Sequence, residues 1–323
     1  MCIRDRICIV GVGQIGSRHF EGIIKENFSY DIFSVDPNTK SQNLLKEKWT
    51  QINADKNFHK FFQLENLNDL PKSLDLVIIS TSSKNRAELI KNLSSKINSC
   101  YWIIEKILAQ SSDELDIIKH ATEKAKGIYV NNGYRLTKLY QHFKSKFFRQ
   151  IPLRVSVEGG AWGLCCNAIH YIDLISWWTK EILLSVHTTE LNESWIKSKR
   201  EGYFECAGKL LAKFSGGSEL LLYSDLHSKE QEIKLKVELP NKDIWVINET
   251  KGISESSNGD FFNERLEFQS EMTGPIVTKI FTKGICELPT FKESSAMHRI
   301  FLDSILRHWN RSNNYNHKLV PIT

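Results

Sequence analysis

The chain has 323 residues, with 43 Lys plus Arg against 38 Asp plus Glu, a formal balance of +5. Hydrophobic residues at 41% and charged residues at 25% are ordinary globular values, which exclude a disordered, collagen-like or disulfide-scaffold chain. At about 150 residues per domain the length allows two domains, and the mild basic excess, densest at Lys197, Lys199 and Arg200, reads as a solvated face and not an RNA-binding stripe.

The opening segment, 1–6, lacks the apolar core of a signal peptide and reads as a non-native leader, because periodic sequence starts only at Ile7. Residues 7–10 have a buried-strand pattern and 17–27 a helical one. A second strand and helix follow at 31–35 and 39–49. The stretch 49–70 is harder to read, with a short third strand expected near Phe61. Residues 74–80 form an almost continuous apolar run before a helix at 85–95. A strand at 101–104, a helix at 111–126 and a strand at 127–130 complete this half. Strand–helix alternation of this kind predicts right-handed βαβ units on a parallel sheet, an α/β fold.

The rhythm then changes. Residues 153–158 are strand-like, 167–178 form one helix, and from there to about 285 the pattern is mostly strands. Runs at 209–214 and 219–224 flank Gly216-Gly217 as a hairpin would. Ile233, Leu235, Val237 and Leu239 alternate with charged residues, which places one sheet face on a core and the other in water. A helix at 293–309 precedes the tail. The second half is therefore α+β with a mostly antiparallel sheet, and the expected division is 1–130 and 131–323.

Seven cysteines, at 2, 8, 100, 165, 166, 206 and 286, form no CxxC, so neither a disulfide framework nor a zinc ribbon is indicated. That fits reduced thiols in a cytoplasm. No apolar run approaches the roughly 18 residues of a membrane span.

Gly11-Val-Gly13-Gln14-Ile15-Gly16 is a G-x-G-x-x-G between a strand and a helix. The first glycine permits the turn, the second admits a pyrophosphate, and the third lets helix and strand pack closely. Helix N–H groups then hold the phosphates. Asp36, 20 residues after Gly16, can accept both ribose hydroxyls of NAD; it is also a turn former before Pro37. Asn38, Thr39 and Lys40 leave NADP open. Ser80 and Thr81 follow one strand, Glu105 and Lys106 the next, at the end where parallel sheets bind ligands. A charged pair there also starts solvated loops. Asn167, His170, Asp173 and Leu174 share one helix face at i, i+3 and i+4 spacing. An imidazole beside an amide suits proton relay, although a core histidine bonded to backbone has the same pattern. Cys165 and Cys166 have no second His or Cys at ligand spacing beyond His170, so no metal is expected.

The turn continuing into Ser17-Arg-His19, the Glu105-Lys106 step and Gly159-Gly160 … Asn167-Ala-Ile-His170-Tyr-Ile-Asp173 together resemble the Gfo/Idh/MocA oxidoreductases over nearly the whole chain. The resemblance implies an N-terminal Rossmann domain at 1–130, binding the dinucleotide through Gly11, Gly13, Gln14, Ile15, Gly16, Asp36, Ser80, Thr81 and Glu105. It implies a C-terminal substrate and oligomerisation domain at 131–323, and NAD(P)-dependent hydride transfer to or from a sugar, polyol or sugar nucleotide. Lys106 matches the lysine of the family's Glu-Lys-Pro motif, with Ile107 in place of proline. His170 matches the active-site histidine, with Asn167 beside it; Cys166 and Asn167 stand where relatives carry an acid. Tyr134 and Arg135 match a pocket-lining segment, and Asp173 is a further substrate candidate. Relatives with Asn or Asp three residues before the histidine often look like members of surface-polysaccharide pathways, so the resemblance points toward nucleotide-linked or modified sugars. The resemblance also implies a homodimer or homotetramer joined through the outer face of the large sheet. A non-catalytic NAD- or sugar-binding regulator on the same fold is the alternative.

Overall fold

The computed structural model describes residues 4–53, 59–148, 150–228 and 232–323. The elements run β1 (Asp5–Val10), α1 (Gln14–Ile24), β2 (Tyr30–Val35), α2 (Thr39–Asn53), β3 (Lys60–Leu64), β4 (Ser73–Ile79), α3 (Arg86–Ser94), β5 (Asn98–Ile104), α4 (Ser112–Thr122) and β6 (Gly127–Val130). The six strands form one parallel sheet in the order β3-β2-β1-β4-β5-β6. The order reverses between β1 and β4, the switch point at which such sheets bind ligands beyond the strand C-termini. Ile7, Cys8 and Ile9 of β1 and Leu76 to Ile79 of β4 are fully buried, as central strands covered on both faces must be. β3 falls at Phe61 as expected. β1 starts at Asp5, inside the segment read as a leader; residues 1–3 of that segment lie outside the described residues.

The second part continues with α5 (Lys138–Phe147), β7 (Arg154–Gly159), α6 (Leu164–Thr179), β8 (Leu183–Leu191), β9 (Ile196–Lys197), β10 (Phe204–Glu205), β11 (Gly208–Phe214), β12 (Glu219–Ser224), β13 (Lys234–Glu238), β14 (Ile244–Asn248), β15 (Ile253–Ser256), β16 (Phe261–Asn263), α7 (Gln269–Lys283) and α8 (Phe291–Asn313). Eight strands make one sheet in the order β16-β15-β14-β13-β7-β12-β11-β8, antiparallel except for the β7–β12 pair. β11 and β12 are the hairpin announced by Gly216-Gly217, and Gly217 takes a φ of +89° in its turn. In β13, Leu235 and Val237 are fully buried while Lys234 and Lys236 face water. β9 and β10 form a separate two-stranded ribbon.

The chain divides into two compact units, but not as two continuous spans. The first comprises Met1–Ala109, Asp113–Gly133 and Glu267–Lys292; the second comprises Gln110–Ser112, Tyr134–Leu266 and Glu293–Thr323. The expected break near 130 is three residues early, and the segment carrying α7 returns to the first unit. This segment also corrects the expectation of strands up to about 285. Pro275 and Gly274 sit inside α7, and both read as helix breakers in sequence. The helix survives because it packs backbone to backbone on α1. A Cβ at Gly274 would lie 2.7 Å from the Gly22 carbonyl oxygen, and one at Gly22 3.0 Å from the Ser270 carbonyl oxygen. At its start, the Phe268 N–H donates to the Glu271 carboxylate at 2.7 Å, half of a capping box. α5 was also unforeseen; it is capped by Thr137 and buries Leu139, Tyr140, Phe143 and Phe147.

Candidate functional site

The glycine turn of the first unit is built as an anion cradle. Gly11 takes a φ of +85°, and a Cβ there would meet Thr81 Cγ2 at 2.9 Å. A Cβ on Gly16 would lie 1.9 Å from the Gly11 carbonyl oxygen, so helix and strand meet without room for a side chain. Gly13 is the opposite case: a Cβ there meets nothing within 4 Å, and the space above it is open. Among the described residues no side chain caps α1, and its first turn carries no acidic residue. N–H groups of the first turn, the helix dipole and open space at Gly13 fit a pyrophosphate. Gln14 is exposed and Ile15 half-buried at this mouth. Asp36 follows β2 and accepts from the Val12 N–H at 2.7 Å with one oxygen and from the Asn38 N–H at 2.8 Å with the other. Each oxygen retains a second lone pair for a ribose hydroxyl. Ser80 donates to the Gly11 carbonyl at 2.5 Å and so holds the turn itself.

Glu105 occupies a different place from the one expected. Its carboxylate is turned inward, 8% exposed, and is gripped by His19 Nε2 at 2.9 Å and by the Asn131 amide at 2.6 Å. His19 is held in turn by the Thr273 hydroxyl at 2.9 Å, and the Asn131 amide also reaches Gln269 at 2.8 Å. Burial by itself would raise Glu105, but the His19 hydrogen bond and charge, the Asn131 amide and the Arg86 guanidinium outweigh it and hold the carboxyl below its ordinary range. Arg86 is fully buried and donates to the carbonyls of Glu105 (2.6 Å), Ile107 and Thr81. Lys106 is half-buried between two immobilised neighbours, Glu105 and the fully buried Ile107. The Lys106–Ile107 peptide bond is cis. The network thus fixes the backbone that carries Lys106 at the C-terminal end of β5. Sequence reasoning passed over Arg86, Asn131, Gln269 and Thr273; a buried arginine donating to backbone leaves no charge pattern to detect.

In the second unit α6 carries Cys166, Asn167 and His170 on its half-buried face. The Asn167 amide donates to the Trp162 carbonyl at 2.9 Å. His170 stacks on Tyr134, ring centroids 4.6 Å apart and planes 14° apart. Asp173 is fully buried and takes a two-pronged ion pair from Arg135, both bonds 2.7 Å. Asp173 and Arg135, expected as substrate candidates, are therefore committed to one another as a buried brace. A cavity of about 450 Å³ opens at the α6 N-terminus, lined by Trp162, Cys166, Asn167, Glu205 and the basic residues Lys197 and Arg200. Glu205 was not foreseen: its carboxylate accepts the N–H groups of Cys165 (2.8 Å) and Cys166 (3.1 Å) and brings an acid to the point where α6 has none. Burial and the Cys206 thiol beside it push the Cys165 thiol well up, which makes it a poor nucleophile.

The chain matches no protein-family model and no curated protein. Solved structures of the same fold are numerous. It is similar to UDP-N-acetylglucosamine 3-dehydrogenase GnnA from Acidithiobacillus ferrooxidans, with 12% identity, TM-score 0.69, and coverage of 94% of this chain and 96% of that one. GenD2 from gentamicin A biosynthesis, solved in complex with NAD, shares 12% identity at TM-score 0.70, covering 96% and 95%. Levoglucosan dehydrogenase, solved with NADH and L-sorbose, shares 13% identity at TM-score 0.68, covering 96% and 97%. These likenesses establish the fold over almost the full length: a Rossmann-like parallel sheet followed by a mostly antiparallel one.

Two outcomes check this geometry. Gly13→Ala should melt like the wild type, because its new methyl meets no protein atom, and should lose dinucleotide binding if a pyrophosphate fills that space, whereas Gly16→Ala should lose stability outright; calorimetric titration with NAD beside thermal melts separates the two. Glu105, with its carboxyl held low in the folded state, contributes stability that is present above the unfolded value of 4.5 and is lost as pH falls through the folded value. Glu105→Gln should therefore cost about 1.5–3 kcal/mol at neutral pH, the range of a charged hydrogen bond. It should also flatten the fall of Tm in acid; parallel Tm–pH curves for the two proteins would refute the assignment.

Proposed function

We propose that the chain is an NAD(P)-dependent oxidoreductase that moves a hydride between nicotinamide and a hydroxyl or keto carbon of a sugar, polyol or sugar nucleotide. The observation that carries this reading is the joint presence of an open glycine turn and, after β5, a lysine whose backbone the Glu105 and Arg86 network fixes. The dinucleotide-bound neighbours and the sugar chemistry in their names support it. The Gly11–Gly16 turn and the first turn of α1 would hold the pyrophosphate and Asp36 the ribose. NAD, when bound, supplies the carbon that accepts or gives the hydride.

The protein's own part is position and proton handling. Lys106 donates to the reacting oxygen and stabilises its alkoxide character. His170 takes the hydroxyl proton in oxidation and returns it in reduction, a task suited to a side chain that titrates near neutrality. Asn167 orients a second hydroxyl through its carbonyl oxygen, its N–H being tied to Trp162. Glu205 and the cavity beside Asn167 add an acceptor for sugar hydroxyls. The sequence resemblance supports a place in surface-polysaccharide metabolism. The second reading, a non-catalytic NAD- or sugar-binding regulator, is favoured by Cys166 and Asn167 standing where an acid is expected.

Lys106→Met tests the role given to that residue. The variant should bind NAD as the wild type does and lose turnover by about 10²–10⁴-fold, the usual weight of positioned acid–base catalysis. An unchanged kcat would remove Lys106 from the reaction.

A further inference from the structure

On one side of His170 lies a cluster of side chains, buried except for the half-buried Tyr134, that the proposed chemistry does not use. Glu249 directly follows β14, anchored by its N–H on the Ile233 carbonyl at 3.0 Å, and is 7% exposed. One carboxyl oxygen accepts the Tyr140 hydroxyl from α5, the other the Tyr171 hydroxyl from α6 at 2.9 Å. The Tyr134 hydroxyl interacts with both Glu249 and Tyr171. Three phenols from three separate parts of the chain thus converge on one acid. The Tyr134 ring is further confined by stacking on Tyr140 (5.0 Å, 27°) and by the edge of Tyr171 (5.4 Å, 78°). The imidazole of His170 lies flat on this immobilised ring.

We propose that Glu249 is a positioning residue for His170, acting through Tyr134: the carboxyl fixes the phenol, and the phenol ring fixes the plane of the imidazole. This rests on the reading of His170 as the proton carrier. The geometry favours coupling over mere filling of space, because Tyr134 joins the acid at its hydroxyl and the histidine at its ring face. A buried acid held only by unrelated core groups would leave His170 indifferent to it. Among the described residues, the ionisable groups that face Glu249 are Tyr134, Tyr140 and Tyr171; farther along α6, Asp173 is already matched by Arg135.

Burial pushes Glu249 up to about 8 against the opposing hydrogen bond of Tyr134. The acid is therefore protonated through the range in which an imidazole ordinarily titrates, near 6.5, and ionises above it. Ring-proton NMR of His170, its signal assigned by loss in His170→Gln, reads the coupling without any turnover. In the wild-type chain the His170 signal should show its own titration and a second inflection near pH 8. Glu249→Gln should abolish the second inflection, and Tyr134→Phe, which keeps the ring and drops only the hydroxyl, should abolish it too. If Glu249→Gln fails to fold, Tyr134→Phe decides alone. A wild-type curve without the second inflection, or one that either folded variant leaves unchanged, overturns the proposal. Turnover assays are separate, so an inactive protein with the inflection would defeat the oxidoreductase reading and leave this coupling in place.

Discussion

A carboxylate buried between a helix histidine and one loop amide is the constraint on which the first unit depends. Glu105 sits where β5 ends, and its charge is tolerable only because His19 from α1, Asn131 from the loop after β6 and the nearby Arg86 guanidinium surround it. Those partners are far apart in sequence, so satisfying one acid ties the glycine-turn helix, the end of β5 and, through Thr273 and Gln269, the returning helix α7 into one body. Lys106 inherits its position from that body. A cationic group intended for a reacting oxygen is worth little if its backbone wanders, and the network with Arg86 removes that freedom.

The second unit repeats the logic with other acids. Asp173 braces α6 against Arg135, Glu205 satisfies the first N–H groups of the same helix, and Glu249 gathers three tyrosines. Asp173 and Glu249 are withdrawn from solvent to hold their elements, whereas Glu205 holds α6 while it also lines the cavity. Asn167 and His170 keep the half-buried face, and the cavity at the α6 N-terminus opens along it. On α6 the brace and the proposed chemistry are neighbours: Asp173 lies three residues, about 60° around the axis, from His170.

Much of this was legible in advance, for identifiable reasons. The parallel sheet announces itself through continuous apolar runs such as 74–80, and β13 through strict alternation, because burial on two faces and on one face leave different periods. The glycine turn is legible because three backbone demands at fixed spacing leave only glycine. α7 was not, since Gly274 and Pro275 mark a breaker locally while close packing on Gly22 decides the matter from 250 residues away. The inward turn of Glu105 was missed for a related cause: position after a strand locates a residue but does not say which way its side chain goes. Arg86, Glu205 and Glu249 carry no motif at all; their importance arises only when distant backbone groups and hydroxyls are brought to them.

The central claim is that this chain transfers hydride and does not merely bind the dinucleotide. Incubating the purified protein with NAD and a panel of sugars, polyols and sugar nucleotides, while following the absorbance of reduced nicotinamide, tests it most directly. The account predicts that at least one hydroxylated substrate produces that absorbance. Tight NAD binding with no reduction across the whole panel, and no oxidation of NADH by the corresponding keto compounds, would contradict it.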